Sequence, residues 1–159
     1  MKTIKIALVA GYALFLTLAA LGNLTMSDLG FGAVKTAVGM ETTLQHPAVM
    51  WRAITSPALI WVLFGAIVLM EAAGAGLCWI GAARMWNARS SAADFHTAKS
   101  AALLGLGLAA ILYFVGWLAI AGEWFEMWQS QKLNVLPDAF RNFGAAMLMM
   151  IWLNGKDDP

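Results

Sequence analysis

The sequence predicts an all-α integral membrane protein: a four-helix bundle with short interfacial helices in its outer loops. Three observations carry that expectation. Of 159 residues, 61% are hydrophobic and only 12% are charged, against about 45–50% apolar, glycine included, and about 25% charged in a soluble domain. The mean hydropathy is +0.72, so lipid must be the solvent for most of the chain. Uncharged runs of membrane-spanning length also recur along it, since about 20 residues at helical rise cover a hydrocarbon core of about 30 Å. Such a composition excludes an ordinary water-soluble domain, a disordered chain and an electrostatic nucleic-acid binder. The net charge of +1 points to no acidic partner. A single transmembrane domain over residues 1–159 is expected.

The first span covers about 6–26, with Lys2 and Lys5 before it. Its basic start and apolar core also resemble a secretory signal, but it reads as a retained anchor. An outer loop of about 27–57 follows. Within it Phe31, Val34 and Val38 fall at spacings of three and four, as on one face of a short helix lying on the membrane. Ser56-Pro57 supplies an N-cap and a proline at the first helical position, so the second span starts there and covers about 58–83. Glu71 stands near its midpoint as its single charge. The connection 84–99 is polar and holds Arg84, Arg89 and Lys99; an uncharged third span of about 100–122 comes next. The second outer loop, about 123–138, opens with the amphipathic tract Glu123-Trp124-Phe125-Glu126-Met127-Trp128. A fourth span of about 139–154 is roughly 24 Å long at helical rise, the low limit for crossing.

Four spans put Lys2, Lys5, Arg84, Arg89, Lys99 and Lys156 on one side, and Lys35, Arg52, Lys132 and Arg141 on the other. By the positive-inside rule the first set is cytoplasmic, so both termini are expected inside and the two tryptophan-rich connections outside.

With the segments in order, several blocks carry a resemblance: Asn23-Leu24-Thr25, the tract from Met50 to Pro57 (MWRAITSP), Glu71 within the second span, and the tract from Gly122 to Ser130 (GEWFEMWQS). On these the chain resembles a proteobacterial family of predicted small integral membrane proteins catalogued as a domain of unknown function. The resemblance runs from the first span to the fourth. It implies a four-helix protein of the bacterial inner membrane, and carries no activity, cofactor or catalytic residue onto any position here.

Among individual residues Glu71 is the sharpest feature. A carboxylate inside the bilayer costs on the order of 2.5–3.5 kcal/mol even on insertion scales, so it finds a partner or stays protonated. It is either a proton-relay or cation-site residue or a helix-fastening hydrogen-bonding group, with Tyr12, Thr17 and Tyr113 as the partners expected from antiparallel packing. Trp51, Arg52, Glu123, Trp124, Glu126 and Trp128 form the second constellation, an outer cap. They read either as interfacial anchors, as tryptophan does at membrane boundaries, or as a docking surface. Arg52 is expected to pair with Glu123 or Glu126 across the two loops.

Small residues predict close helix contacts, through Ala101, Gly105 and Ala109 on the third span and Ala72 with Gly76 on the second. Met147, Met149 and Met150 read as adaptable filling. Cys78, the one cysteine, reads as a small packing residue. His46 and His96 fall in loops on opposite sides, which disfavours haem and zinc; no cofactor and no metal are expected. There is no phosphate loop, no nucleophile elbow and no carboxylate pair beside a histidine, so an enzyme is the weakest class. The leading expectation is a non-catalytic accessory or scaffolding subunit that associates with a larger membrane complex, such as a respiratory one, or with copies of itself. The alternatives are a small transporter or proton-coupled carrier using Glu71, and a quinone- or lipid-binding membrane protein.

Overall fold

The computed structural model describes residues 1–155 and is all-helical, with no strand among them. Lys156, counted above on the basic side, lies outside the described residues. Helix α1 runs Lys2–Thr25 and α2 runs Ser27–Val38. Between them Met26 leaves helical geometry at φ −118° and ψ 46°. A 3₁₀ turn at Met50–Arg52 precedes α3, Pro57–Asn87. The Ser56 hydroxyl accepts from the Leu59 N–H and Pro57 occupies the first turn, the start that Ser-Pro encodes because proline's missing donor is unneeded there. Helix α4, Ala92–Ala98, is capped by the Ser91 hydroxyl at the Asp94 N–H. Helix α5, Ser100–Ile111, continues as a π-helical stretch over Leu112–Trp124. After a 3₁₀ turn at Met127–Gln129, α6 runs Leu136–Asn154.

Among the described residues three helical segments are long and apolar enough to cross a membrane: Lys2–Thr25, Pro57–Asn87 and Ala92–Trp124. Only 33–39% of their apolar windows is buried inside the chain. Leu18, Val62, Leu69 and Leu104 are all more than half exposed. In water so much exposed apolar surface would drive aggregation; in a bilayer it is the lipid-facing side. Helix α6 has 19 residues, about 28 Å at helical rise, and packs along α5 and its π-helical continuation.

Helices α3 and α5 meet backbone to backbone. A Cβ added at Gly81 would lie 2.5 Å from the Ala102 nitrogen, and one at Gly105 would lie 2.7 Å from both the Gly74 carbonyl and the Cys78 Sγ. Small residues allow this backbone approach, which supplies the van der Waals contact that drives helix association in lipid. Cys78 is fully buried and fills the seam as a packing residue. On α5 the seam uses Ala102 and Gly105, both buried; of the expected face, Ala101 and Ala109 are buried as well. On α3 it runs through Gly74, Cys78 and Gly81, whereas Ala72 is exposed and Gly76 has open space where its Cβ would be. The expectation for Ala72 with Gly76 is thus corrected. Residues 72–76 read AAGAG, small in every direction around the helix, so spacing cannot select the buried face.

Contacts define two ends. At the basic end Lys2 lies over the Phe95 ring, and both Lys5 and Lys99 donate to the Gly155 carbonyl, at 3.4 and 3.2 Å. This joins the start of α1, the α3–α5 connection and the last turn of α6, whose carbonyls favour cations. At the other end the two long connections interlock. Thr42 and Ser130 share a 2.6 Å hydroxyl contact, the Leu44 N–H donates to the Gln129 side chain at 3.0 Å, and the Arg52 Nη1 donates to the Trp124 carbonyl at 3.3 Å. His46 and His96 fall in the connections at these opposite ends.

Candidate functional site

Glu71 sits on the face of α3 that meets α1. It is 5% exposed, and the Asn23 Nδ2 donates to its Oε2 at 2.8 Å. A neutral amide donor satisfies this buried carboxyl group without bringing a second charge into the bilayer, the condition a polar group must meet in hydrocarbon. Asn23 stands two residues before the end of α1, so Glu71, near the middle of α3, is level with the last turn of its neighbour. Of the partners expected from sequence, the Tyr12 hydroxyl donates instead to the Asn142 carbonyl of α6 at 3.1 Å. Thr17 donates back to Ala13 and accepts from the Trp79 indole. Tyr113 is buried with Tyr12 in the main core cluster. In the sequence Asn23 stood out only within the Asn23-Leu24-Thr25 block; its signal as a partner was a lone carboxamide at the end of an otherwise apolar run.

Arg52 joins the two long connections, but not through Glu123 or Glu126. Its guanidinium lies 4.7 Å from the Trp124 ring centroid and 5.7 Å from that of Trp51, and the two indoles meet edge to face at 5.7 Å. Glu126 accepts from Gln129 at 2.8 Å, and Glu123 is exposed. Among the described residues no carboxylate lies within ion-pair distance of Arg52, and its Nε is buried without an acceptor. The correction has a geometric cause. Residue 126 is in the left-handed region, φ 56°, which turns the chain after Trp124 and leaves a backbone carbonyl where a carboxylate was expected. Met40 and Gln45 also have positive φ, 54° and 51°. All three strained residues thus stand in the interlocked connections; such conformations cost about 1–3 kcal/mol each and persist where surrounding contacts hold them. Trp51 and Trp128 are 70% and 55% exposed.

Below this cap lies a half-open apolar cavity of about 500 Å³, bounded by α2, α3 and the π-helical stretch. Val38, Ile67, Met70, Gly116, Trp117 and Ala121 are among its lining residues, and every side chain that lines it is apolar apart from the indole N–H groups. Its size falls in the range of about 300–1,000 Å³ typical of small-ligand sites. The wide helical geometry shapes it: Leu112, Gly116, Trp117, Ile120, Ala121 and Trp124 share one face at spacings of four and five. The stretch closes with the Phe125 N–H bonded to Ile120, an i→i−5 bond. π-helical turns occur mostly singly and frequently at functional sites. Among the described residues no group of three His, Cys, Asp or Glu side chains converges as a metal site.

Helical segments of spanning length with lipid-facing sides define the chain as a small polytopic membrane protein. It belongs to the family described as "Predicted small integral membrane protein (DUF2165)", whose family model matches residues 1–156. No curated protein and no solved structure shows significant similarity to it.

Proposed function

We propose that the protein is a non-catalytic lipid-binding protein of the bacterial inner membrane that seats the apolar chain of a membrane lipid beside its π-helical stretch. The single observation that carries this reading is the cavity of about 500 Å³ with its apolar lining. Water in such a space would lack the two to four polar partners it needs, whereas a hydrocarbon chain has no hydrogen bonds to lose on entering and makes dispersion contacts with the lining. In this reading α1, α3, α5 with its continuation, and α6 cross the membrane as a four-helix bundle. Both termini are cytoplasmic, because the basic end carries Lys2, Lys5, Arg84, Arg89 and Lys99. The cavity then lies toward the outer leaflet.

A second reading, an accessory subunit that docks a partner of a larger complex, is favoured by the cap, where Leu44 and Trp51 are 77% and 70% exposed on connections held by hydrogen bonds. The two readings are compatible, since a seated lipid would complete the membrane-facing edge of such a cap. The carrier reading has less support, because Glu71 is bonded to a neutral amide and not to a second ionisable group.

Photo-crosslinking tests the lipid reading. A phospholipid with a diazirine in its acyl chain should label peptides from 63–70 and 112–125 above the rest of the lipid-facing surface. Gly116→Leu should reduce that labelling several-fold without loss of the fold, because a Cβ there meets only the Leu112 Cδ1, at 3.6 Å. Uniform labelling around the chain, unchanged by Gly116→Leu, would contradict it.

A further inference from the structure

Among the described residues Arg52 is a cation without a counter-ion, placed against an aromatic side chain that also walls the cavity. Its guanidinium lies 4.7 Å from the Trp124 ring centroid, and Trp124 lines the cavity, as does Ile54 two residues further along the chain. Only Nη1 has a hydrogen bond, to the Trp124 carbonyl at 3.3 Å, while Nε is buried and lacks an acceptor. A buried donor left unsatisfied on a charged group is costly. The Nε edge of a guanidinium, with Nη2 beside it, is the edge that takes a phosphate in a two-bond fork. Neither acidic side chain nearby in sequence fills this place: Glu126 is engaged by Gln129 and Glu123 is exposed.

Resting on the lipid reading above, we infer that the occupant of the cavity is a glycerophospholipid whose phosphate is bound by Arg52, and not a neutral isoprenoid, quinone or diacylglycerol. The pairing is by depth as well as charge. The apolar chain lies among α2, α3 and the π-helical stretch, and the cation stands at the cap above it, where a headgroup meets its chains. Trp51 and Trp124 flank the guanidinium, which limits its motion and supports the charge through their ring faces. Arginine suits this position better than lysine, because one guanidinium can hold the Trp124 carbonyl and present a second edge to phosphate.

The test uses the full chain in nanodiscs and two photoactivatable probes with identical diazirine-bearing acyl chains, a phosphatidylglycerol and a diacylglycerol. In the unaltered protein the phosphatidylglycerol should label the 112–125 peptide about tenfold more efficiently, the discrimination expected of a charged hydrogen bond to phosphate. Arg52→Gln should bring the two probes to equal labelling, with Arg52→Lys intermediate. The comparison within the unaltered protein decides the matter even if Arg52→Gln fails to fold. Equal labelling of the cavity by both probes overturns the phosphate inference and leaves the lipid reading standing. Absence of cavity labelling by either probe overturns the lipid reading itself. Competition by glycerol 3-phosphate as effective as that by the phospholipid assigns Arg52 to a soluble phosphate and overturns the phospholipid.

Discussion

Glu71 and Asn23 are two polar side chains that each need the other in an apolar setting. The 2.8 Å hydrogen bond between them links α3 to the last turn of α1 and accounts for a carboxyl group in a span that otherwise carries none. Hydrogen bonds between membrane helices are worth about 0.6 kcal/mol on average and up to about 1.7, so the pair fastens helices without dominating stability. Glu71→Gln keeps an acceptor for Asn23 and should unfold in detergent within a degree or two of the unaltered protein. Glu71→Leu strands the Asn23 amide and should destabilise by about 1 kcal/mol. The same strong loss from Glu71→Gln as from Glu71→Leu would mean that the charge itself is required, and would revive the carrier reading. Sequence singled out Glu71 because a charge in an apolar run is conspicuous. Its partner was not legible, because which residue of α1 stands level with residue 71 depends on how far α3 extends past α1. Arg52 shows the same limit: the charge was visible, but a carbonyl acceptor has no sequence signature.

At the scale of elements, uncharged runs and the Ser56-Pro57 start made the three long apolar helices legible. Two features were not. The face of α3 that meets α5 could not be read from five consecutive small residues, and only packing selects Gly74, Cys78 and Gly81. The π-helical stretch has no proline and no distinctive composition, so its wide turn is not legible, and the cavity emerges only when α2, α3 and this stretch are assembled. The seam makes a sharp prediction. Gly105→Val places a side chain within 2.7 Å of the Gly74 carbonyl, and overpacking of this kind costs about 1–3 kcal/mol or more. Ala72→Val, on an exposed face, should cost almost nothing. Thermal unfolding of the two variants in one detergent checks the contrast; equal effects would remove the seam from this account.

For the whole molecule, the two ends differ in chemistry. Buried lysines meet the last turn of α6 at one end, and strained, hydrogen-bonded connections rich in tryptophan close the other. Charge counting in the sequence grouped Lys2, Lys5 and Lys99, which do meet at one end, because cations are excluded from the hydrocarbon between the ends. Membrane-impermeant thiol labelling in a Cys78→Ala background should modify Ser91→Cys only after the cytoplasmic side is opened. Leu44→Cys should react from outside in intact cells. The reverse pattern would invert the topology and move the cavity to the inner leaflet. The all-helical, membrane-spanning character thus follows from composition, while the cavity, a property of three elements at once, does not.

Under the proposed function, the space beside the π-helical stretch seats a lipid chain. An electron-microscopy map of the full chain in nanodiscs, with an antibody fragment bound for size, tests it most directly. Continuous tubular density between Ile67 of α3 and Gly116 and Trp117 of the π-helical stretch, rising toward Arg52, is the predicted result. A collapsed interface, with these side chains in mutual contact and no density between them, would contradict it.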